Sequence, residues 1–249
     1  MNERPRVVSL PVACVFLSSP VCVGFYADFT DAAGETALSE QFRQQYQLAQ
    51  NAVEASRSVQ PFLELLGRCK RPEEVAELEM TIGVTFGQRT GLVDPAKAVV
   101  HFTNALEYEL PEKAYIRAIM WRGNALEQTK KHRKALEDYL RGLLACSYHD
   151  LSGGWPEILP PTVPMARHSR DPEDVQRVRD YQRYRKRVMF QRLLLTDRYF
   201  FVEAVRRVQA HLSISDGEVL KTLEKLSPDA SRHALVMNLL KSENERPWP

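Results

Sequence analysis

The sequence predicts an all-α protein made of antiparallel helix pairs, with additional helices near its C-terminal end. From Thr36 onward, apolar residues return every three or four positions, which is the spacing of amphipathic helices. Several prolines, such as Pro72 and Pro172, are followed at once by acidic residues, a pattern typical of helix starts. Two segments also repeat one pattern of small and aromatic residues. The composition, 44% hydrophobic and 27% charged, is that of an ordinary globular protein rather than a disordered chain.

Two helices are predicted before the repeated segments. The first keeps a four-residue apolar step, begins at a cap supplied by Thr36 or Ser39, and ends near Ser58. The second is short, opens at Pro61 and runs to about Cys69, because a proline in the first helical turn loses no hydrogen bond.

Four further helices follow, separated by short connections that favour antiparallel neighbours. We predict them over residues 72–88, 95–109, 111–129 and 132–148. In each pair, a small residue in the first helix permits close approach, and the second helix places small, aromatic and small residues on one face. The two sets are Gly83, Ala98, Phe102 and Ala105 in the earlier pair and Gly123, Ala135, Tyr139 and Gly142 in the later pair.

This pattern resembles the tetratricopeptide repeat, most clearly over residues 116–144. The earlier copy departs from the family in a connection that is longer by about three residues, and in Glu79, where the family often has a large aromatic residue. The residues support two repeats and leave a third, degenerate pair over 38–69 open.

The resemblance implies a short superhelix of stacked helix pairs, whose first helices line a groove for an extended peptide or a partner's helix. The groove positions carried over from the family are Glu77, Met80, Thr81, Val84, Arg117, Met120, Trp121 and Asn124. Trp121 fits either an interface anchor or packing on a neighbouring helix. A clamp for a C-terminal carboxylate is not expected, since Met80, Thr81 and Val84 lack the charge or amide that it requires. The expected function is that of a non-enzymatic adaptor, scaffold or chaperone-like binder of a protein or peptide.

The remaining sequence differs in character from the repeats. The chain divides into a signal-like or disordered segment (1–34), the repeat domain (35–150), a loop rich in glycine and proline (151–170), a basic helical region (171–242) and a tail (243–249). The loop is too apolar for a free linker, so we expect it to dock on helical surface, either for structural reasons or within the groove as a lid. Two short helices, opened by Ser215 and by Ser227, close the chain.

The basic region offers an alternative function. Arginines and tyrosines alternate between Arg177 and Arg207, a composition that suits phosphate pairing and base stacking. The same arginines, represented by Arg177, Arg183 and Arg187, also suit an acidic protein partner, and the interpretation that the composition favours is a solvated, structural helix face. The net charge of +2 gives no general argument for nucleic acid or an anionic membrane.

The sequence contains no pattern typical of an enzyme or of a metal site. Its six histidines are isolated, and its four cysteines form no C-x-x-C pair. Cys69 and Cys146 are predicted to be small buried side chains. We therefore expect no catalytic residue, no metal and no cofactor.

The N-terminal segment leaves two locations open. Arg4 and Arg6 precede an apolar run, as in a secretory signal, but Glu3 and Pro11 do not suit one. The sequence thus favours a cytoplasmic protein with a disordered N-terminal arm over one exported through a signal. Export would make the protein a non-catalytic assembly factor of the cell envelope, which is a further alternative function. No membrane-spanning helix is expected.

Overall fold

The computed structural model describes residues 38–88, 91–151 and 197–241, and all regular structure within these ranges is helical. In chain order the helices are α1 (Glu40–Ser56), α2 (Gln60–Leu66), α3 (Pro72–Gln88), α4 (Pro95–Ala105), α5 (Glu112–Gln128), α6 (His132–Leu151), α7 (described over 197–212), α8 (Asp216–Leu226) and α9 (Ala230–Lys241). The prediction of an all-α fold is confirmed.

Several helices begin where side chains satisfy the free N–H groups of the first turn. The Ser39 hydroxyl accepts from the backbone N–H of Phe42 at 3.1 Å at the start of α1. Asp94 does the same for α4, accepting from the N–H of Lys97 at 3.1 Å. At α8, Ser215 and Glu218 form a reciprocal capping box. These local bonds explain why the sequence located the helix starts well.

Several helices end at residues other than those predicted, beginning with α2, which ends at Leu66 rather than about Cys69. α4 ends at Ala105 rather than near Glu109, because the chain tightens into three-residue turns in which the N–H of Glu107 bonds to the carbonyl of Asn104. α6 continues to Leu151, so the glycine and proline loop does not begin at that residue. The rest of that loop, 152–170, lies outside the described residues.

Side-chain contacts give the helix directions. The earlier residue of α3, Glu79, bonds to the later residue of α4, Asn104, at 3.1 Å. The later residue of α3, Gly83, faces the earlier residue of α4, Phe102, so the partners run in opposite order. The pair is therefore antiparallel. Between α1 and α3 the order is the same: Ser39 bonds to Glu74 and Tyr46 to Thr81, each pair 35 residues apart. α1 and α3 are therefore parallel neighbours.

The buried apolar residues form two clusters that share α5. The first lies among α1 to α4 and takes alanines from one side of α5: Ala114, Ala118 and Ala125. The second joins α6 to α7, α8 and α9 and takes Ile116, Ile119 and Leu126 from α5. The groove residues predicted on α5 are among the side chains of this helix that enter neither cluster completely.

Glycines permit the closest helix contacts. An added Cβ at Gly83 would stand 2.8 Å from the Phe102 ring, and one at Gly123 would meet the ring of Tyr139. Gly142 instead faces Phe201, which belongs to α7 and not to the repeat pair. All eight residues of the predicted packing pattern are buried. Within the described ranges, no helix combines the length and the apolar character needed to cross a membrane.

Candidate partner-binding face

The four groove residues predicted on α5 lie along one side of that helix and are all partly exposed: Arg117, Met120, Trp121 and Asn124. We call them the α5 face. Trp121 rests against the first apolar cluster and Met120 against the second, so each has one side packed and another open. A side chain supported in this way has already lost much of its rotamer freedom, which lowers the entropic cost of binding a partner.

Tyr139 holds the C-terminal end of this face. Its ring lies over Gly123, and its hydroxyl reaches Oδ1 of Asn124 at 3.1 Å and a carboxylate oxygen of Glu127 at 3.0 Å. The Tyr139 hydroxyl has one proton, so it donates to only one of these two oxygens at a time. The amide N–H groups of Asn124 are not bonded within the described part of the chain and remain as donors. A side-chain amide in this state suits a backbone carbonyl of an extended peptide.

A salt bridge continues this network into α7. The guanidinium of Arg207 donates two hydrogen bonds to Glu127, at 2.8 and 2.9 Å. Burial acts to raise the pKa of the Glu127 carboxyl, but the bonds from Arg207 outweigh it and hold this pKa below its ordinary value of 4.5. Burial, with the Glu127 carboxylate close by, raises the pKa of the Tyr139 phenol far above its ordinary value. Tyr139 is therefore a neutral donor and Glu127 a charged acceptor at neutral pH.

The four groove residues predicted on α3 lie in the core, and their predicted accessibility does not fit the structure. Glu77 and Met80 are fully buried, while Thr81 and Val84 are 7% and 8% exposed. The reason is visible at Thr81, whose hydroxyl is hydrogen-bonded at 2.9 Å to the phenol of Tyr46 on α1. Since α1 packs beside α3, these positions are covered by the chain itself.

A polar cluster between α3 and α4 was not predicted. Glu79 is bonded to Nδ1 of His101 at 2.6 Å and accepts from the amide of Asn104 at 3.1 Å. The His101 ring stacks on Phe86 with a centroid distance of 5.6 Å. The available signal was Glu79 itself, a carboxylate in a position where the family often has an aromatic residue. Because His101 and Asn104 both bond to the Glu79 carboxylate, we interpret the cluster as a structural connection between α3 and α4.

A second unpredicted connection lies next to Trp121. Arg122 donates two hydrogen bonds to Asp138 on α6, at 2.7 and 2.6 Å, and reaches Thr103 on α4 at 3.5 Å. The Asp138 side chain is only 4% exposed. This bond fixes the rotation of α5 between its neighbours, and so fixes the direction in which the α5 face is presented.

Residues 171–196 of the basic helical region lie outside the described residues, and they include Arg177, Arg183 and Arg187. Of the described arginines, Arg207 is bound to Glu127 and Arg206 donates to the carbonyl of Leu240 at 2.9 Å. These two guanidinium groups therefore serve contacts inside the protein.

The described residues contain no group of three histidine, cysteine or acidic side chains placed to hold a metal ion. Cys146 is buried, and burial raises the pKa of the partly buried Cys69 thiol, with Glu74 adding to the shift. A raised pKa disfavours the thiolate that nucleophilic chemistry needs. Comparisons of the chain with protein-family models, curated proteins and solved structures gave no match.

Proposed function

We propose that this protein is a protein-interaction module that binds an extended segment of a partner on the α5 face. The observation that carries the proposal is Trp121, a large aromatic side chain that is packed on one side and open on the other. Aromatic side chains in this setting are typical interface anchors, because they bury much apolar area at small entropic cost.

The neighbours of Trp121 suit a peptide. Asn124 lies one turn further along the helix with its amide donors available, and Met120 adds an adaptable apolar surface. Arg117 lies one turn before Trp121 and already makes an interaction within the protein. The partner segment that fits best therefore carries an apolar side chain for Trp121 and presents a backbone carbonyl to Asn124.

The helix arrangement gives further support. The parallel neighbours α1 and α3 are offset by 35 residues at both of their hydrogen-bonded contacts, close to the 34-residue length of a tetratricopeptide repeat. In such arrays the first helices of successive pairs stand side by side and present a common surface. The packing of α1 over α3 leaves α5 as the part of this surface that partners would use.

The test is affinity purification of the tagged full-length protein from its own cells, after nuclease treatment, with partners identified by mass spectrometry. Trp121→Ala and Asn124→Ala are compared with Leu48→Ala, since Leu48 is an apolar side chain on α1 that is 69% exposed. We expect a stoichiometric protein partner with the wild type and Leu48→Ala, and its loss with Trp121→Ala. Circular dichroism establishes that each variant is folded.

Two outcomes would contradict the proposal. If Trp121→Ala retains the partner as well as Leu48→Ala does, the α5 face is not the binding site. If recovery disappears on nuclease treatment of the wild type, the association depends on nucleic acid, and the basic helical region becomes the better explanation.

A further inference from the structure

A strongly basic surface recess lies at the opposite end of the α5 and α6 pair from the connection to α4. The recess is shallow and largely open to solvent, with a volume of about 310 Å³. The lining consists of five consecutive residues and one leucine from α7: Lys130, Lys131, His132, Arg133, Lys134 and Leu212. We call it the basic recess.

The cations of the basic recess are not neutralised by the protein. In the described part of the chain, Lys130, Lys131, Arg133 and Lys134 form no salt bridge, and all four are exposed. Placing like charges so close together costs free energy, and an anion in the recess would remove that cost. Arg207 and Glu127, by contrast, are charged side chains that pair with each other.

The local backbone adds to the positive potential. α6 begins at His132 and has no acidic residue in its first turn. The preceding residue, Lys131, cannot cap the free N–H groups there, because an ammonium group has no acceptor atom. These N–H groups and the positive end of the helix dipole therefore add to the charge of the side chains.

A histidine pair forms part of the same surface. The rings of His132 and His211 are 4.0 Å apart between centroids. Nδ1 of His132 is buried and has no hydrogen-bond partner within the described residues. Where Nδ1 carries the ring proton, it is a hydrogen-bond donor without an acceptor in the protein, and an anionic oxygen that reaches it would be a suitable acceptor.

We propose that the basic recess binds a phosphate monoester group. A dianion with a tetrahedral set of oxygens can accept from several lysine, arginine and backbone donors at once. The alternative of a nucleic acid is less suited, since its binding needs charges spread along a track and aromatic faces for stacking. The lining residues that the structure describes include no aromatic ring other than imidazole. The recess is separate from the α5 face, so the two proposals stand or fall independently.

The proposal is tested by calorimetric titration of the full-length protein at constant ionic strength. The probes are a short phosphoserine peptide with otherwise neutral residues, its unphosphorylated form, inorganic phosphate, and a single-stranded DNA oligonucleotide without a terminal phosphate. Lys131→Gln/Lys134→Gln is compared with Lys221→Gln/Lys225→Gln, which removes the same charge from two exposed lysines on α8.

We expect the phosphopeptide to bind while its unphosphorylated form does not, and the recess double variant to weaken binding about tenfold or more. The α8 double variant should bind as the wild type does. Binding of inorganic phosphate as tight as that of the phosphopeptide would identify a small phosphorylated ligand, and tighter phosphopeptide binding would identify a protein segment. Absence of phosphate-dependent binding, equal loss in both double variants, or oligonucleotide binding as tight as that of the phosphopeptide would overturn the proposal.

Discussion

Glu127 on α5 and Arg207 on α7 are 80 positions apart in the chain and form a two-pronged salt bridge with distances of 2.8 and 2.9 Å. The same carboxylate accepts from the hydroxyl of Tyr139, whose ring covers Gly123. One acidic side chain thus joins the repeat pair to the C-terminal helices and supports the tyrosine that orients Asn124.

The first prediction concerns the stability that this carboxylate provides. Glu127→Gln should lower the free energy of unfolding by about 1 kcal/mol at neutral pH, because the pair is partly exposed and screened by solvent. The pKa of Glu127 is lower in the folded state than its ordinary value of 4.5. The stabilisation from Glu127 is therefore present above pH 4.5 and is lost as the pH falls through the pKa of the folded state. Urea unfolding across acidic pH should show the two proteins converging. A difference that stays constant with pH would contradict this account.

The second prediction concerns Tyr139 at alkaline pH. Its folded pKa lies far above the ordinary 10.0, so the folded state keeps a proton that the unfolded chain loses once the pH exceeds that value. Stability from this group should therefore decline as the solution becomes strongly alkaline. Tyr139→Phe keeps the ring on Gly123 and should lose about 1 kcal/mol at neutral pH, with a shallower alkaline decline. Unfolding curves as steep in alkali for the variant as for the wild type would exclude this role.

The third prediction tests the glycine contacts. Gly83→Ala should cost about 1 to 3 kcal/mol, because its methyl group would collide with the Phe102 ring. Gly87→Ala is the matched control on the same helix, since its nearest neighbour, the Cβ of Ala98, would stand at an ordinary 3.9 Å. That variant should be neutral or stabilised by up to about 1 kcal/mol through helix propensity. Thermal unfolding of both variants distinguishes a steric cost from a general effect of alanine.

The same contacts show what the sequence could predict. The bounds predicted for α3 coincide with those observed, Pro72–Gln88, because proline and two acids mark its start within a few residues of chain. The close approach of Gly83 to Phe102 also follows from local spacing, since a small residue in one helix faces an aromatic residue in the next. Both features, the helix start and the glycine–aromatic spacing, depend only on residues within one helix pair, so the sequence is enough to predict them.

The face that a helix exposes could not be predicted in the same way. Thr81 was expected in a groove, but the position of α1 places Tyr46 against it. No residue near Thr81 in the sequence indicates that contact. Gly142 likewise contacts Phe201 on α7 rather than a residue of its own pair. These contacts join distant parts of the chain, so periodicity within one helix carries no information about them.

The last prediction concerns the buried ion pair beside Trp121. Arg122→Met should destabilise the protein by about 3 kcal/mol or more, because it leaves the carboxylate of Asp138, 4% exposed, buried without its cation. The double variant Arg122→Met/Asp138→Leu should recover most of this loss, since neither charge then remains to be desolvated. Lys97→Met provides the comparison: its pair with Asp94 is exposed, and the change should cost at most about 1 kcal/mol. If the double variant is as unstable as Arg122→Met alone, the two hydrogen bonds themselves, rather than the uncompensated charge, hold α5 against α6.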